Sequence, residues 1–245
     1  MESIAQDPAA MQPRGLIVIP AFNEEGMIAH VVAAATVQTG FDVLVVDDGS
    51  SDRTAERARG AGAGVVTHPF NLGYGCALQT GYRYAHRHGY EVVVQIDADG
   101  QHDPADAARL ADPILRGEAD IVVGCRFFSG SSYTMPPLRR LGVQWLRFLL
   151  RSLSGIDLRD PTSGLQALSA SVVRLYTSEA FPSDYPDADM FVLLQKAGYR
   201  IRELEVRMKE RNDARSMHAG IGVLYYSYKM TLAMIMNVLR PAQRP

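Results

Sequence analysis

Cysteine is scarce in this sequence, which has only Cys76 and Cys125 among its 245 residues. The two lie far apart, and neither stands in a CxxC or cysteine–histidine spacing. This argues against a disulfide scaffold and against a zinc site, and it favours a reducing, cytoplasmic compartment.

An excess of positive charge is also missing, because 25 Lys and Arg residues face 27 Asp and Glu residues, for a net charge of −2. Proteins that bind a phosphate backbone usually have a basic excess, so nucleic acid is not expected as the main partner. With 47% hydrophobic and 21% charged residues, the composition is typical of a globular protein.

No segment is clearly long and apolar enough to span a membrane. The nearest candidate is 221–239, which lies at the lower length limit for a spanning helix and contains Lys229 near its middle. The first fourteen residues have no apolar run, so we expect a disordered tail over 1–14 and no secretory signal.

Short apolar runs alternate with helical patterns through the first half of the chain. The runs are rich in Val and Ile with little polar alternation, as expected for parallel strands covered on both faces. This order predicts an α/β fold with a doubly wound, mostly parallel sheet. The predicted strands are 16–20, 42–47, 63–68, 91–97 and 120–125, and the predicted helices are 23–38, 52–60, 74–88 and 104–116.

The second half is less regular but contains no linker or internal repeat, so we interpret the chain as one continuous domain with two lobes. Its predicted elements are helices over 137–153, 170–177 and 187–197 and strands over 165–168 and 199–206.

Polar side chains follow three of the predicted strands at the point where each strand ends. Because ligands bind beyond the carboxyl ends of parallel strands, we expect these side chains to meet in one site. The alternative is that these residues only form turns and cap helices. This explains any single case, but it would have to hold at the ends of three strands. The residues are Asn23 and Glu24, then Asp47 and Asp48, then Asp97 and Asp99.

The sequence Asp97-Ala98-Asp99 is the strongest local signal for chemistry. Two carboxylates one residue apart at a strand end can both reach a hard cation such as Mg²⁺ or Mn²⁺, which prefers oxygen ligands. Such an ion commonly joins a protein to a diphosphate and neutralises the charge of a departing nucleotide.

Four segments together resemble a known family. IPAFNEE (19–25), VVDDGSSDRT (45–54), NLGYGCALQTG (71–81) and IDADGQHDP (96–104) are similar to the inverting family-2 glycosyltransferases of the GT-A fold. The similarity is to the branch of dolichyl- and polyprenyl-phosphate sugar synthases, and it extends over residues 15–216. It implies a nucleotide-sugar lobe over 15–125 and an acceptor lobe over 126–218 of a GT-A domain spanning 15–218.

The resemblance also implies donor-side roles. One group borders the nucleoside, with Glu24 and Asp48 at the base or ribose, and a close-packed loop over 71–75 lies beside it. A second group holds the diphosphate and, through Asp97, Asp99 and Gln101, the metal. The implied donor-binding residues are Pro20, Ala21, Asn23, Glu24, Asp47, Asp48, Asn71, Gly73, Asp97, Ala98 and Asp99.

On the acceptor side, the resemblance places Arg126 at the acceptor phosphate, with Arg139 or Arg140 as a second arginine. The alternative is that these arginines are solvated or bind lipid headgroups. Asp187 and Asp189 match an acidic pair, and either one would be the general base if the acceptor were a hydroxyl.

The segment 208–218 resembles a loop that closes over the donor, with Arg211 and Ser216 at matching positions. The usual glycine of this loop is Ala214 here, and the usual lysine is Met217. Beyond it, 219–245 predicts a C-terminal helix over 219–239 that binds a membrane surface or a small membrane-protein partner, or else docks on its own core.

The sequence therefore predicts a metal-dependent, inverting glycosyltransferase that acts peripherally at the cytoplasmic face of a membrane. The expected donor is a UDP-sugar, with GDP-mannose as the alternative, and the expected acceptor is a polyprenyl phosphate. Three rivals stay open at this point. They are a glycosyltransferase with a hydroxyl acceptor, a nucleotidyltransferase, which would release pyrophosphate, and a non-catalytic protein that retains the fold.

Overall fold

The computed structural model describes residues 13–128, 137–179, 181–183, 186–208 and 221–240. Two residues predicted to contact the donor, Arg211 and Ser216, lie outside these ranges, as does the tail up to residue 12. The side chain of Arg139 is also outside the described part of the chain.

Strands and helices alternate along the chain as the apolar periodicity predicts. The strands are β1 (Gly15–Ala21), β2 (Asp42–Asp47), β3 (Gly64–Thr67), β4 (Val92–Gln95), β5 (Ile121–Cys125), β6 (Gln166–Ser169) and β7 (Ile201–Glu205). The helices are α1 (Ile28–Thr39), α2 (Thr54–Gly60), α3 (Tyr74–His88), α4 (Pro104–Leu115), α5 (Pro137–Ser154), α6 (Ala170–Tyr176), α7 (Ala188–Lys196) and α8 (Ile221–Leu239).

The seven strands form one sheet in the order β3-β2-β1-β4-β6-β5-β7. Neighbouring strands are parallel except at β6, which runs antiparallel to both β4 and β5. The prediction of a mostly parallel α/β sheet flanked by helices is therefore confirmed.

Alternate residues of the central strands enter two apolar cores, one on each face of the sheet. Along β1, Leu16 and Val18 pack into the core that includes α3 and α7, whereas Ile17 and Ile19 pack into the core that includes α1 and α4. Burial of both faces explains why the strand sequences lack polar alternation.

The first helix begins at Ile28, five residues later than the predicted start at residue 23. Asn23 adopts a left-handed backbone conformation with φ of 55°, which an α-helix does not permit. Its backbone N–H donates to Ser50 Oγ at 2.9 Å, and its Oδ1 accepts from the Ser51 N–H at 2.9 Å. These bonds hold residues 23–27 as a turn against the loop that follows β2.

Helix α8 packs with one face against α5 and α7. Tyr226, Met230 and Met234 are buried in the α3–α7 core, and Lys196 Nζ donates to the carbonyls of Asn237 and Val238 at 3.1 and 2.6 Å. The last carbonyls of a helix lack intrahelical partners, so Lys196 stabilises this helix end. No helix within the described ranges is both long and apolar enough to cross a membrane.

The packing of α3 on β1 gives a stability test. A Cβ at Gly81 would overlap the side chain of Val18, which is buried and stiff because it is β-branched. We expect Gly81→Ala to lower the free energy of unfolding by about 1–3 kcal/mol, measured by urea denaturation.

Gly60→Ala is the matched control, because Gly60 is also helical and a Cβ there would meet no atom within 4 Å. It should leave stability unchanged or raise it slightly. Equal effects of the two substitutions would contradict the close packing of α3 on β1.

Candidate functional site

The carboxyl ends of β2, β1 and β4 lie side by side, because these three strands are adjacent and parallel. Ala21 at the end of β1 pairs in register with Asp47 at the end of β2, and Pro20 pairs with Val46. Asp97 and Asp99 follow β4 within four residues. The sheet therefore brings the three predicted acidic segments to one edge.

The carboxylate of Asp48 is buried and accepts hydrogen bonds at both oxygens. Its Oδ1 lies 2.7 Å from His68 Nδ1 and accepts from the Leu72 N–H at 2.9 Å, while Oδ2 accepts from the Gly73 N–H at 2.8 Å. His68 is held in turn by Thr80 Oγ1 at 2.9 Å. Asp48 thus fixes the loop over 71–75, and its contact with a base or ribose stays a prediction.

The glycines of this loop allow close packing within the protein. Gly73 has φ of 102°, and a Cβ at Gly75 would lie 2.7 Å from the carbonyl oxygen of Ser183. The Cys76 N–H also donates to that carbonyl, at 3.0 Å. Asn71 lies at the start of the same loop and is exposed. The loop therefore joins the donor-side edge to the segment that precedes Asp187.

The other donor-side residues surround the end of β1. Asp47 is buried, and its Oδ1 accepts from the Ser50 N–H at 3.2 Å. The Glu24 N–H donates to Thr54 Oγ1 at 2.9 Å, so the turn over 23–27 is tied at two points to the loop after β2. Pro20 and Ala21 end β1 next to these two loops and are buried.

Asp97 is held between two side chains. The Tyr74 hydroxyl donates to its Oδ1 at 2.9 Å, and His102 Nε2 lies 3.3 Å from its Oδ2. Burial alone would raise the pKa of Asp97, but the bond to His102, the bond from Tyr74 and the charge of Arg126 together lower the pKa below its usual value. Asp97 is therefore a fixed and ionised carboxylate.

Asp99 and Gln101 share a tight turn after Asp97. The Gln101 N–H donates to Asp99 Oδ1 at 3.0 Å, Gly100 has φ of 73°, and Ala98 is buried. The described residues contain no cluster of three histidine, cysteine or acidic side chains with metal-binding geometry. Two carboxylates and one amide oxygen are nevertheless hard donors that suit Mg²⁺ or Mn²⁺, with a diphosphate and water as the remaining ligands.

Arg126 directly follows β5 and is buried in a two-point ion pair with Asp160. Its Nε and Nη2 donate to the two oxygens of Asp160 at 2.5 and 2.7 Å, and Nη2 also donates to the Thr162 carbonyl at 3.0 Å. Such bidentate pairing fixes the plane of the guanidinium. Its charge acts to lower the pKa of both Asp97 and Asp187, although burial outweighs this effect at Asp187.

The acidic pair lies at the start of α7, where Asp187 is the N-cap residue and Asp189 is in the first turn. Asp189 is buried, and its Oδ1 accepts from the Asp187 N–H at 3.2 Å. Asp187 Oδ2 accepts from the Tyr226 hydroxyl at 2.5 Å. Burial raises the pKa of Asp187 to about 6, and burial together with the charge of Asp187 raises the pKa of Asp189 to about 7.

The two candidates for the second arginine, Arg139 and Arg140, both lie in α5. Arg140 is exposed in the first turns of α5, whereas the side chain of Arg139 is outside the described residues. Met208 pairs with His102 in an isolated bridge and is the last described residue before 209–220, where Arg211 and Ser216 lie.

Four residues of the site were missed by sequence reasoning. Tyr74 stands in the motif NLGYG, and Asp160 stands in a second motif, DPTSG (160–164), which resembles an acceptor-side motif of the same family branch, so the motifs could have pointed to them. Gly164, where a Cβ would lie 2.5 Å from Asp97 Oδ2, stands in the second motif. Tyr226 has no local signal, because its contact with Asp187 depends on how α8 docks.

Comparison with known proteins gives three findings on the sequence. The model of Glycosyl transferase family 2 matches residues 16–174. The UDP-N-acetylglucosamine–dolichyl-phosphate N-acetylglucosaminyltransferase of Methanococcus voltae is 28% identical, over 91% of this chain and 97% of the relative. The undecaprenyl-phosphate mannosyltransferase of Micrococcus luteus is 32% identical, over 84% of this chain and 88% of the relative.

Among solved structures, the glucosyl-3-phosphoglycerate synthase of Mycobacterium tuberculosis in complex with Mn²⁺ and UDP-glucose has the same fold. It superimposes with a TM-score of 0.67 at 23% identity, over 95% of this chain and 80% of that chain. The predicted GT-A architecture is confirmed by this match together with the sheet order.

The buried acidic pair gives a test based on pH. The pKa of Asp189 is about 7 in the folded protein, well above that of an unfolded aspartate, so its favourable contribution is present at low pH. That contribution is lost as the pH rises toward 7, because a buried carboxylate must then ionise. As the pH rises from about 5 to 8, we expect the free energy of unfolding of Asp189→Asn to increase relative to that of the parent protein. The increase should be a few kcal/mol, an order-of-magnitude figure.

The measurement is urea denaturation of both proteins across this pH range. Asp157→Asn is the control, because Asp157 is exposed, and it should follow the parent profile. Parallel profiles for the parent and Asp189→Asn would show that Asp189 ionises in the folded protein as readily as in the unfolded chain.

Proposed function

The chain belongs to glycosyl transferase family 2, and we propose that it transfers a sugar from a nucleoside diphosphate sugar to a polyprenyl phosphate. The observation that most supports this is the fixed, ionised Asp97 at the end of β4, between the donor-side loops and the Arg126–Asp160 pair. Two of the relatives, which match this chain over most of its length, are named for transfer to lipid phosphates.

Asp97, Asp99 and Gln101 are the residues that would hold a divalent cation, Mg²⁺ or Mn²⁺. When bound, the cation neutralises charge on the departing nucleoside diphosphate. Tyr74 and His102 keep the Asp97 carboxylate oriented, and burial with the nearby charges of Asp97 and Asp187 keeps the pKa of Tyr74 well above its usual value. Tyr74 therefore remains a hydrogen-bond donor to Asp97.

The edge of the sheet at the loops after β1 and β2 is proposed to bind the nucleoside. The residues around it are Pro20, Ala21, Asn23, Glu24 and Asp47, and the loop fixed by Asp48 forms one side. A UDP-sugar is the favoured donor, because one relative is named for UDP-N-acetylglucosamine and the solved neighbour holds UDP-glucose. GDP-mannose is the second candidate.

Arg126 is proposed to face the acceptor phosphate. A phosphate monoester is already anionic, so it attacks the anomeric carbon without a general base, and a buried guanidinium would attract and orient it. Asp160 holds the guanidinium rigid, which favours accurate positioning of the attacking oxygen. The predicted loop with Arg211 and Ser216 would cover the donor from the other side.

A hydroxyl acceptor is the second candidate, and one observation favours it. Asp187 has a pKa of about 6, close to the range in which a general base works best. Attack by a hydroxyl would require a base of this kind, whereas attack by a phosphate would not.

Substitution of the paired aspartates tests the metal site. We expect Asp97→Asn and Asp99→Asn each to reduce turnover by about a hundredfold or more, with weaker Mn²⁺ binding in calorimetry, because a carboxylate ligand is lost. Asp112→Asn, at an exposed position of α4, should retain both properties. If the double variant Asp97→Asn with Asp99→Asn kept native turnover, the proposal would be wrong.

Asp187→Asn distinguishes the two acceptor classes. If the acceptor is a phosphate, we expect turnover to fall by less than about tenfold. If the acceptor is a hydroxyl, loss of the general base should reduce turnover by about 10²–10⁴-fold. The assay uses labelled sugar donor with a short polyprenyl phosphate, followed across pH. Release of pyrophosphate instead of a nucleoside diphosphate would identify a nucleotidyltransferase.

The enzyme is proposed to work at the cytoplasmic face of a membrane, because a polyprenyl phosphate resides in the bilayer. Partner proteins of the membrane and the surface itself are both candidates for contact with the C-terminal helix.

A further inference from the structure

Exposed apolar side chains are concentrated on two adjacent helices, α5 and α8. Of the fifteen large apolar side chains that are exposed in the described residues, nine belong to these two helices. We call this surface the α5–α8 face. Its residues are Leu141, Trp145, Phe148, Tyr225, Tyr228, Leu232, Ile235, Met236 and Leu239.

The exposed residues form one stripe on each helix, separate from the stripe that packs on the core. On α5 they recur at 141, 145 and 148, whereas Leu146 and Leu150 of the same helix are buried. On α8 they recur at 225, 228, 232, 235 and 239. Spacings of three and four residues place each set on one side of its helix.

A hydrogen bond joins the two stripes. Trp145 Nε1 donates to Thr231 Oγ1 at 3.1 Å, although both side chains reach the surface. The ring of Phe148 lies 5.9 Å from the ring of Trp145. The two stripes therefore lie side by side as one group of exposed apolar residues, unlike the singly scattered ones that are ordinary on proteins.

The charge of this face is of one sign. The sequence of α5 has four arginines and no acidic residue, and α8 has one lysine, no acidic residue and Arg240 directly after it. Asp157, which follows α5, lies 3.8 Å from Arg147 and 4.0 Å from Arg151. This contrasts with the whole chain, which has a net charge of −2.

An apolar stripe bordered by cations and rich in Trp and Tyr complements a membrane with anionic headgroups. A second copy of the chain fits less well. In a symmetric dimer the same patch meets itself, so two pairs of helices whose charged residues are all basic would face each other.

The opposite face of α8 contacts the acceptor side of the site. Tyr226 lies between the exposed Tyr225 and Tyr228 in sequence, is buried, and donates to Asp187. Asn237 Nδ2 donates to the Asp189 carbonyl at 3.0 Å. A membrane at the α5–α8 face would therefore lie next to the part of the molecule where a lipid phosphate is proposed to react.

We propose that the α5–α8 face docks the protein on anionic lipid membranes and presents the site to a lipid-borne acceptor. The second half of this statement rests on the proposed function, whereas lipid binding itself does not.

The test is co-sedimentation of the full chain with vesicles of phosphatidylglycerol and phosphatidylcholine, without substrates. We expect binding that weakens at high salt and on pure phosphatidylcholine vesicles. Phe148→Ser combined with Leu232→Ser should reduce vesicle affinity by about tenfold or more, because two apolar side chains leave the bilayer. Val37→Ser, at an exposed apolar position on α1, is the control and should bind as the parent does.

Turnover separates this inference from the proposed function. With a short, water-soluble prenyl phosphate, the double variant should be as active as the parent, and with an acceptor in vesicles it should be slower. Vesicle binding without transfer to either acceptor would overturn the proposed function and leave lipid docking in place. Absence of vesicle binding would overturn the docking proposal. So would a light-scattering result in which the parent and the control variant are dimers and the double variant is a monomer.

Discussion

The fixed position of the Asp97 carboxylate is the constraint on which the rest of the site depends. Three separate elements produce it, namely Tyr74 from α3, His102 from the turn after β4, and the absence of a side chain at Gly164. The first two are fixed elsewhere as well, since the loop before α3 is tied to Asp48 and His102 pairs with Met208. A shift in any one of them would move the Asp97 carboxylate, so its position depends on all three.

Two charged residues that face a substrate by resemblance also have partners within the protein. Asp48 holds the 71–75 loop, and Arg126 is paired with Asp160. A buried charge without a partner is costly, so such pairing explains how the fold tolerates ions beneath its site. The same pairs fix the position of each charge, which preorganises an electrostatic environment for a reaction that moves negative charge.

Much of the fold could be predicted because its signals are local. Runs of Val and Ile marked the buried strands, and acids at strand ends marked the edge where Asp47, Asp97 and Asp99 lie. Contacts between distant segments could not be predicted in this way. Asp160 meets Arg126 across 34 residues that include α5, and Tyr226 meets Asp187 across 39 residues. The late start of α1 was hidden for a different reason, since nothing in the sequence identifies Asn23 as left-handed.

The antiparallel strand β6 has a consequence for the size of the transferred group. It lies between β4 and β5, so the strands that lead to Asp97 and Arg126 are two spacings, or about 10 Å, apart. The segment 160–164 crosses this interval, with Asp160 at the arginine and Gly164 at the aspartate. Under the proposed function, this short segment would therefore set the distance between the donor diphosphate and the acceptor phosphate, and with it the size of the sugar that fits between them.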